Sequence, residues 1–193
     1  MVPEANSNSR RDLIAESAIR IIARDGVRTL THRAVDAEAG IPSGSTSYHA
    51  RTRSALLGIV VDALADRTVD DALLIAVPDA MSIDDAADAI CGLVRALAAR
   101  RDDMRARYAL VLELDDSDLR QRLTDRGPVH DVSTTVARRL LRSAGLAATD
   151  ADVETVIELT DALVLQWTIA DRESPWMRRI VVGHLRGAGV GDG

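Results

Sequence analysis

Apolar residues recur at intervals of three and four along most of the chain, which is the spacing of one face of an α-helix. Over 9–24 the stripe is Ile14, Ala18, Ile21 and Ile22, widened by Leu13, and Asp25-Gly26 ends it. From 52 to 77, Leu57, Val60, Val61, Leu64 and Thr68 lie along one face until Pro78 forces a stop. Ser82 caps the next helix, whose stripe is Ile83, Ala86, Ala87, Ile90, Val94 and Leu97. Asp102-Asp103 suit the positive end of the helix that follows, along which lie Met104, Tyr108, Val111 and Leu112. A short helix over 119–125 leads to a break at Gly127-Pro128, and another over 129–143 ends at Gly145. Asp150 or Asp152 caps the most apolar segment, with Val153, Val156, Ile157, Thr160, Leu163, Val164 and Trp167 on one side and Leu159, Leu165 and Ile169 on others. A helix apolar nearly all round must be covered on more than one side. The last helix starts at Ser174-Pro175, carries Trp176, Met177, Ile180, Val181 and Leu185, and frays in a glycine-rich tail from Gly187. The chain reads as all-α.

The stretch LTHRAVDAEAGIPSGSTSYHARTRSALL, residues 30–57, breaks this rhythm of long helices. Thr31 is a good N-cap for a short helix of small apolar residues, Ala34, Val35, Ala37 and Ala39, which Gly40 terminates. Ile41 is buried in the turn, Pro42 and Ser43 open a second short helix ending near Ala50, and Thr52 caps the next. Two short helices about a glycine-containing turn make a helix-turn-helix.

Residue for residue, this segment resembles the DNA-binding signature of the tetracycline-repressor (TetR) family of bacterial regulators. The resemblance is carried by Thr31, Ala39-Gly40-Ile41, Gly44-Ser45, Tyr48-His49, Thr52-Arg53 and Leu56-Leu57, in register, and extends back to about Asp12. Four positions depart from it. Ala50 stands where the family usually has Phe, Ser47 where it has Tyr, Arg53 where it has Lys, and Asp36 where a small apolar residue is common.

The resemblance implies a three-helix DNA-binding head, residues 1–51, on a helical effector-binding and dimerisation body, residues 52–193. Arg33 matches a position that reads a base edge in some members, where an arginine can grip guanine. Ser43, Thr46 and Tyr48 lie on the recognition helix and can reach the groove, although Thr46 can equally pack inward and Tyr48 can pack on the first helix. Thr31, Gly44, Ser45, His49 and Arg53 match positions that hold the phosphate backbone or shape the turn beside it. The arm at 1–8, with Arg10 and Arg11 behind it, reads as disordered and either touches DNA or is simply solvated.

Net charge first argues against a nucleic-acid partner, since 24 basic residues face 30 acidic ones for a total of −6. Split at residue 55, however, the head holds eight Arg against six acids and the remainder 16 Arg against 24. A +2 head on a −8 body fits a protein that touches DNA with one end, although chance scatter produces the same small excess. With a single cysteine, Cys91, no intramolecular disulfide forms, and a reducing cytoplasm is the expected compartment. No apolar run reaches membrane-spanning length, and the polar N-terminus lacks a signal-peptide core.

The body is expected to hold a pocket for a small-molecule effector, with Cys91, Met104, Tyr108, Glu113, Asp161 and Trp167 as candidate lining. The last two long helices are expected to pair with their copies in a homodimer, which would meet a pseudo-palindromic double-stranded operator. Glu113 to Asp118 with His130 and Asp131 lack paired ligand spacing, so a solvated loop is favoured over a metal site. No nucleophile–base pair or cofactor motif accompanies the four histidines, which argues against an enzyme. The expected function is therefore a ligand-released repressor. An activator with the same DNA contacts and a helical interaction protein without them are the alternatives.

Overall fold

The computed structural model describes residues 4–124 and 127–188. Within them the chain forms ten α-helices and no strand: α1 Glu4–Asp25, α2 His32–Glu38, α3 Ser45–His49, α4 Arg53–Leu73, α5 Ile83–Ala99, α6 Arg101–Glu113, α7 Ser117–Leu123, α8 Pro128–Ser143, α9 Asp150–Ala170 and α10 Met177–Ala188. A single 3-10 turn, Val27–Thr29, joins α1 to α2. None of these helices is long and apolar enough to cross a membrane.

The helices form two compact units, one within Met1–Arg67 and Asp102–Gly127, the other within Thr68–Arg101 and Pro128–Gly193. This packing differs from a division at residue 51. Leu56, Leu57, Ile59, Val60, Val61 and Leu64 of α4 share one core with Ile14, Ala18, Ile19, Ile21 and Ile22 of α1. Leu110, Leu114, Leu119 and Leu123 close the same core from α6, its end and α7. Each such buried aliphatic side chain contributes roughly 1.5–3 kcal/mol.

In the second unit α5 packs on α9 and α10, and α8 packs on α9. Its buried faces are Ala87, Ile90, Cys91 and Val94 of α5, Leu140 and Leu141 of α8, Val153, Val156 and Val164 of α9, and Met177, Val181 and Leu185 of α10. Arg178 bridges Asp84 and Asp88 across α10 and α5 at 2.9 and 2.7 Å. Burial raises the lone Cys91 thiol above its ordinary pKa, so it stays a neutral core group.

Helix ends show where side chains outrank periodicity. Helix α9 is capped by Thr149, not by an aspartate; Asp152 instead completes a capping box by accepting from the Thr149 backbone at 3.1 Å. Ser82 and Asp85 do the same for α5. Helix α4 stops at Leu73, four residues before the predicted end, well short of Pro78. Helix α7 begins at Ser117 under the Asp116 cap, so the acidic run 113–118 is partly helix and cap and not a loop throughout. The predicted end at Asp125 lies outside the described residues.

On α6 the inward face is Met104, Ala106, Arg107 and Leu110, whereas Leu112, predicted on the apolar side, is exposed. At the N-terminus, residues 4–8 belong to α1 where a disordered arm was expected; residues 1–3 lie outside the described range. Helix α10 starts at Met177, two residues beyond Pro175, and runs through Gly187 to Ala188. The remainder of the glycine-rich tail, 189–193, also lies outside that range.

Candidate nucleic-acid interface

Thr31, in extended conformation, turns its hydroxyl onto the Ala34 amide at 3.1 Å and starts α2. One face of α2 is then fixed inward by Val35 and Asp36, both buried, which leaves Arg33 exposed on the other. The turn that follows differs from its sequence reading. Pro42 and Ser43 belong to the turn, and α3 begins only at Ser45. Gly44 is its N-cap at φ 91°, a left-handed conformation that glycine adopts without strain, and it offers no side chain to cap the helix.

The missing cap comes from Asp36. One carboxylate oxygen accepts from the Gly44 amide at 2.7 Å. The other accepts from the Thr46 amide at 2.8 Å and the Thr46 hydroxyl at 2.6 Å. A residue of α2 thus satisfies two orphan N–H groups at the start of α3, of which that of Thr46 would otherwise be buried without a partner. Burial raises the Asp36 pKa, but the Thr46 and Gly44 hydrogen bonds outweigh it, so the carboxyl sits below its ordinary range. The departure at position 36 is therefore the element that sets the angle between the two short helices.

Thr46 is consequently fully buried, and its assignment to the groove is corrected. A hydroxyl committed to a buried carboxylate cannot also reach a base. Arg53 has a structural task as well: exposed at the start of α4, its guanidinium donates to the carbonyl oxygens of Leu30 and, at 2.7 Å, Val27, closing the turn between α1 and α2. Arg53→Met should therefore lower stability in urea by about 1 kcal/mol while the salt dependence of DNA binding stays unchanged. A reduced salt slope with unchanged stability would restore the phosphate role.

Ser43, Gly44 and Tyr48 stand in solvent, Tyr48 with 84% of its surface exposed, so packing of its ring on α1 is ruled out. Its ring meets His49 edge-on at 5.3 Å between centroids. Ser45 is half-buried and donates its hydroxyl to the Pro42 carbonyl at 2.6 Å. Ala50 is buried, and its carbonyl lies 2.7 Å from His32 Nε2, a link between α2 and the end of α3. A phenylalanine here would need room that this head fills differently.

Charge completes the face. Glu38 of α2 is tied to Arg20 at 3.1 Å and Arg24 at 3.3 Å, and the Arg20 hydrogen bond holds its carboxyl below the usual range. Among the described residues, no ion pair engages Arg28, Arg33 or Arg51, all exposed. The acids of α2 are thus neutralised inward and the unpaired guanidinium groups remain outward, as a polyanion requires. Arg28 and Arg51 were not singled out by sequence reasoning; the signal available was an arginine flanking each short helix.

Of the six candidate pocket residues, Met104, Tyr108 and Glu113 belong to the first unit and Cys91, Asp161 and Trp167 to the second. Glu113 and Asp161 are exposed, and Cys91 and Met104 are core. None of the six lines the cavity of about 400 Å³ in the second unit, whose walls come from Pro78-Asp79 and α8.

The sequence pattern described as the tetracyclin repressor-like C-terminal domain matches residues 81–188. None of the curated proteins matches the chain. Among solved structures, a member of the TetR family from Streptomyces coelicolor A3 is 25% identical, with a TM-score of 0.65 over 94% of this chain and 98% of that one. The multidrug binding protein EbrR complexed with ethidium is 23% identical, with a TM-score of 0.63 over 97% of this chain and 99% of its own. NalD, the secondary repressor of the MexAB-OprM multidrug efflux pump in Pseudomonas aeruginosa, is 12% identical, with a TM-score of 0.65 over 98% and 100%. The latter two share the fold.

Proposed function

We propose, for a chain that belongs to the tetracycline-repressor (TetR) family of transcriptional regulators, that it represses transcription in the cytoplasm as a homodimer on a pseudo-palindromic operator and is released by a small-molecule effector. The observation that carries this reading is the preformed α2–α3 pair, held by Asp36, with unpaired Arg33 and exposed Ser43 and Tyr48 outward. Arg33 and Tyr48 supply base and groove contacts, and Thr31, Ser45 and His49 seat the backbone. Two such heads related by a two-fold axis would read half-sites about one helical turn apart.

Support for the dimer comes from Leu165, Ile169, Trp176 and Ile180, large apolar side chains left exposed along α9 and at α10. The effector acts only through its different affinity for the DNA-binding and released conformations. EbrR, whose structure holds ethidium, shows one ligand class met on this fold. This chain has only two Trp and two Tyr and no Phe, so flat dyes find little to stack on.

Fluorescence anisotropy on the DNA flanking its own gene, across a salt series, tests the reading. Wild-type protein should bind selectively and weaken steeply with salt. Arg33→Ala should lose about tenfold or more in affinity and discriminate less against scrambled DNA. Equal, weak binding to native and scrambled sequence by the wild type would sink the proposal.

A further inference from the structure

The cavity of about 400 Å³ in the second unit has a chemistry that the DNA-binding reading does not use. One wall is a single face of α8, on which Thr134, Arg138 and Arg142 follow at four-residue spacing with Thr135 and Arg139 beside them. Pro78 and Asp79 complete the lining. The two segments are stitched together: the Ser143 hydroxyl donates to the Pro78 carbonyl, and the Met81 amide donates to the Ser143 carbonyl at 2.9 Å. The concavity is therefore built by the end of α8.

Its three arginines are not equivalent. Arg138 is committed to the Ala148 carbonyl at 2.9 Å and to Asp150 at 2.8 Å. Arg139 and Arg142, both exposed, have no ion-pair or hydrogen-bond partner among the described residues. Elsewhere on this unit, Arg95 pairs with Glu173, and Arg178 and Arg186 pair with Asp84. Like charges one turn apart repel by a few tenths of a kcal/mol, a cost that a shared anion reverses. The hydroxyl oxygen of Thr134, buried in the same wall, also lacks a partner.

We infer that this cavity is a binding site for a small organic monocarboxylate. Its carboxylate would be gripped by Arg139 and Arg142, and its apolar body would lie against the Pro78 ring and the threonine methyl groups. Guanidinium groups match carboxylates in two-pronged geometry, and 400 Å³ falls in the range of small-molecule pockets. Asp79, in the same lining, opposes a second negative charge and so selects monoanions over di- and tricarboxylates. The inference names a ligand class for the effector of the proposed repressor and rests on that reading only for its regulatory consequence.

Isothermal titration calorimetry on the full chain without DNA tests the site, with benzoate, hexanoate, citrate and the uncharged benzamide as probes at constant ionic strength. Benzoate or hexanoate should bind about tenfold or more tighter than benzamide and than citrate. The double variant Arg139→Gln/Arg142→Gln should bind benzoate no better than benzamide while melting like the wild type. Arg178→Gln, on another face, should leave benzoate binding unchanged. Equal binding of benzoate and benzamide, no binding of either monocarboxylate, or full binding by the double variant would each overturn the proposal. Operator binding measured without these probes tests the regulator reading separately, so the two failures are distinguishable.

Discussion

Asp36→Ala should destabilise the recognition head by about 3 kcal/mol and remove selective operator binding while leaving every outward-facing side chain in place. The substitution leaves the Gly44 amide, the Thr46 amide and the buried Thr46 hydroxyl without the acceptor that now serves all three. Amide hydrogen exchange is the direct reading: protection at Thr46 should fall by about a hundredfold. Asp36→Asn should fall between the two, because its amide nitrogen turns a donor toward donors. Unchanged protection in the alanine variant, or selective binding retained at full strength, would show that α3 holds its angle without Asp36.

The pH dependence has a definite sign. The Asp36 carboxyl is held below its ordinary range in the folded head. Its contribution is therefore fully present above the unfolded value of about 4 and is lost as pH falls through the lower folded value. The stability gap between wild type and Asp36→Asn should be constant at neutral pH and narrow only below about pH 4. A gap that changes between pH 6 and 8 would implicate a group other than Asp36.

What could be read from the residues, and what could not, divides along a physical line. Thr31, Gly40 and the long apolar stripes act through local rules of capping, backbone conformation and periodicity, and these are written in adjacent positions. The resemblance over 31–57 placed the head for the same reason. Asp36 was visible only as an oddity, because its partners lie eight and ten positions away and its meaning is the fold itself. Thr46 was misassigned because a hydroxylic side chain on a recognition element reads as outward until its partners are seen. The pocket candidates show the same limit from the other side. Cys91 and Met104 satisfy periodicity by being core, and no pattern in one dimension separates a core wall from a cavity wall.

The last expectation concerns the apolar face of α9 and α10. In one protomer Ile169 keeps 76% of its surface exposed, Trp176 60% and Ile180 43%, with Arg179 5.9 Å from the Trp176 ring centre. Because both isoleucines face solvent, Ile169→Glu/Ile180→Glu should leave the fold and melting of the isolated chain nearly unchanged. Across a two-fold interface the same changes place carboxylates near their own copies and strip each of water, a combination that opposes association strongly. If the proposed dimer forms through this face, sedimentation should show dimer for the wild type and monomer for the variant. Affinity for the full operator should drop by on the order of a hundredfold or more, while affinity for an isolated half-site should stay put, because linkage of the two heads is lost and not their contacts. A variant that remains dimeric with undiminished operator affinity would move the interface elsewhere. One that loses half-site binding as well would mean that the body supports the head in some way other than pairing it.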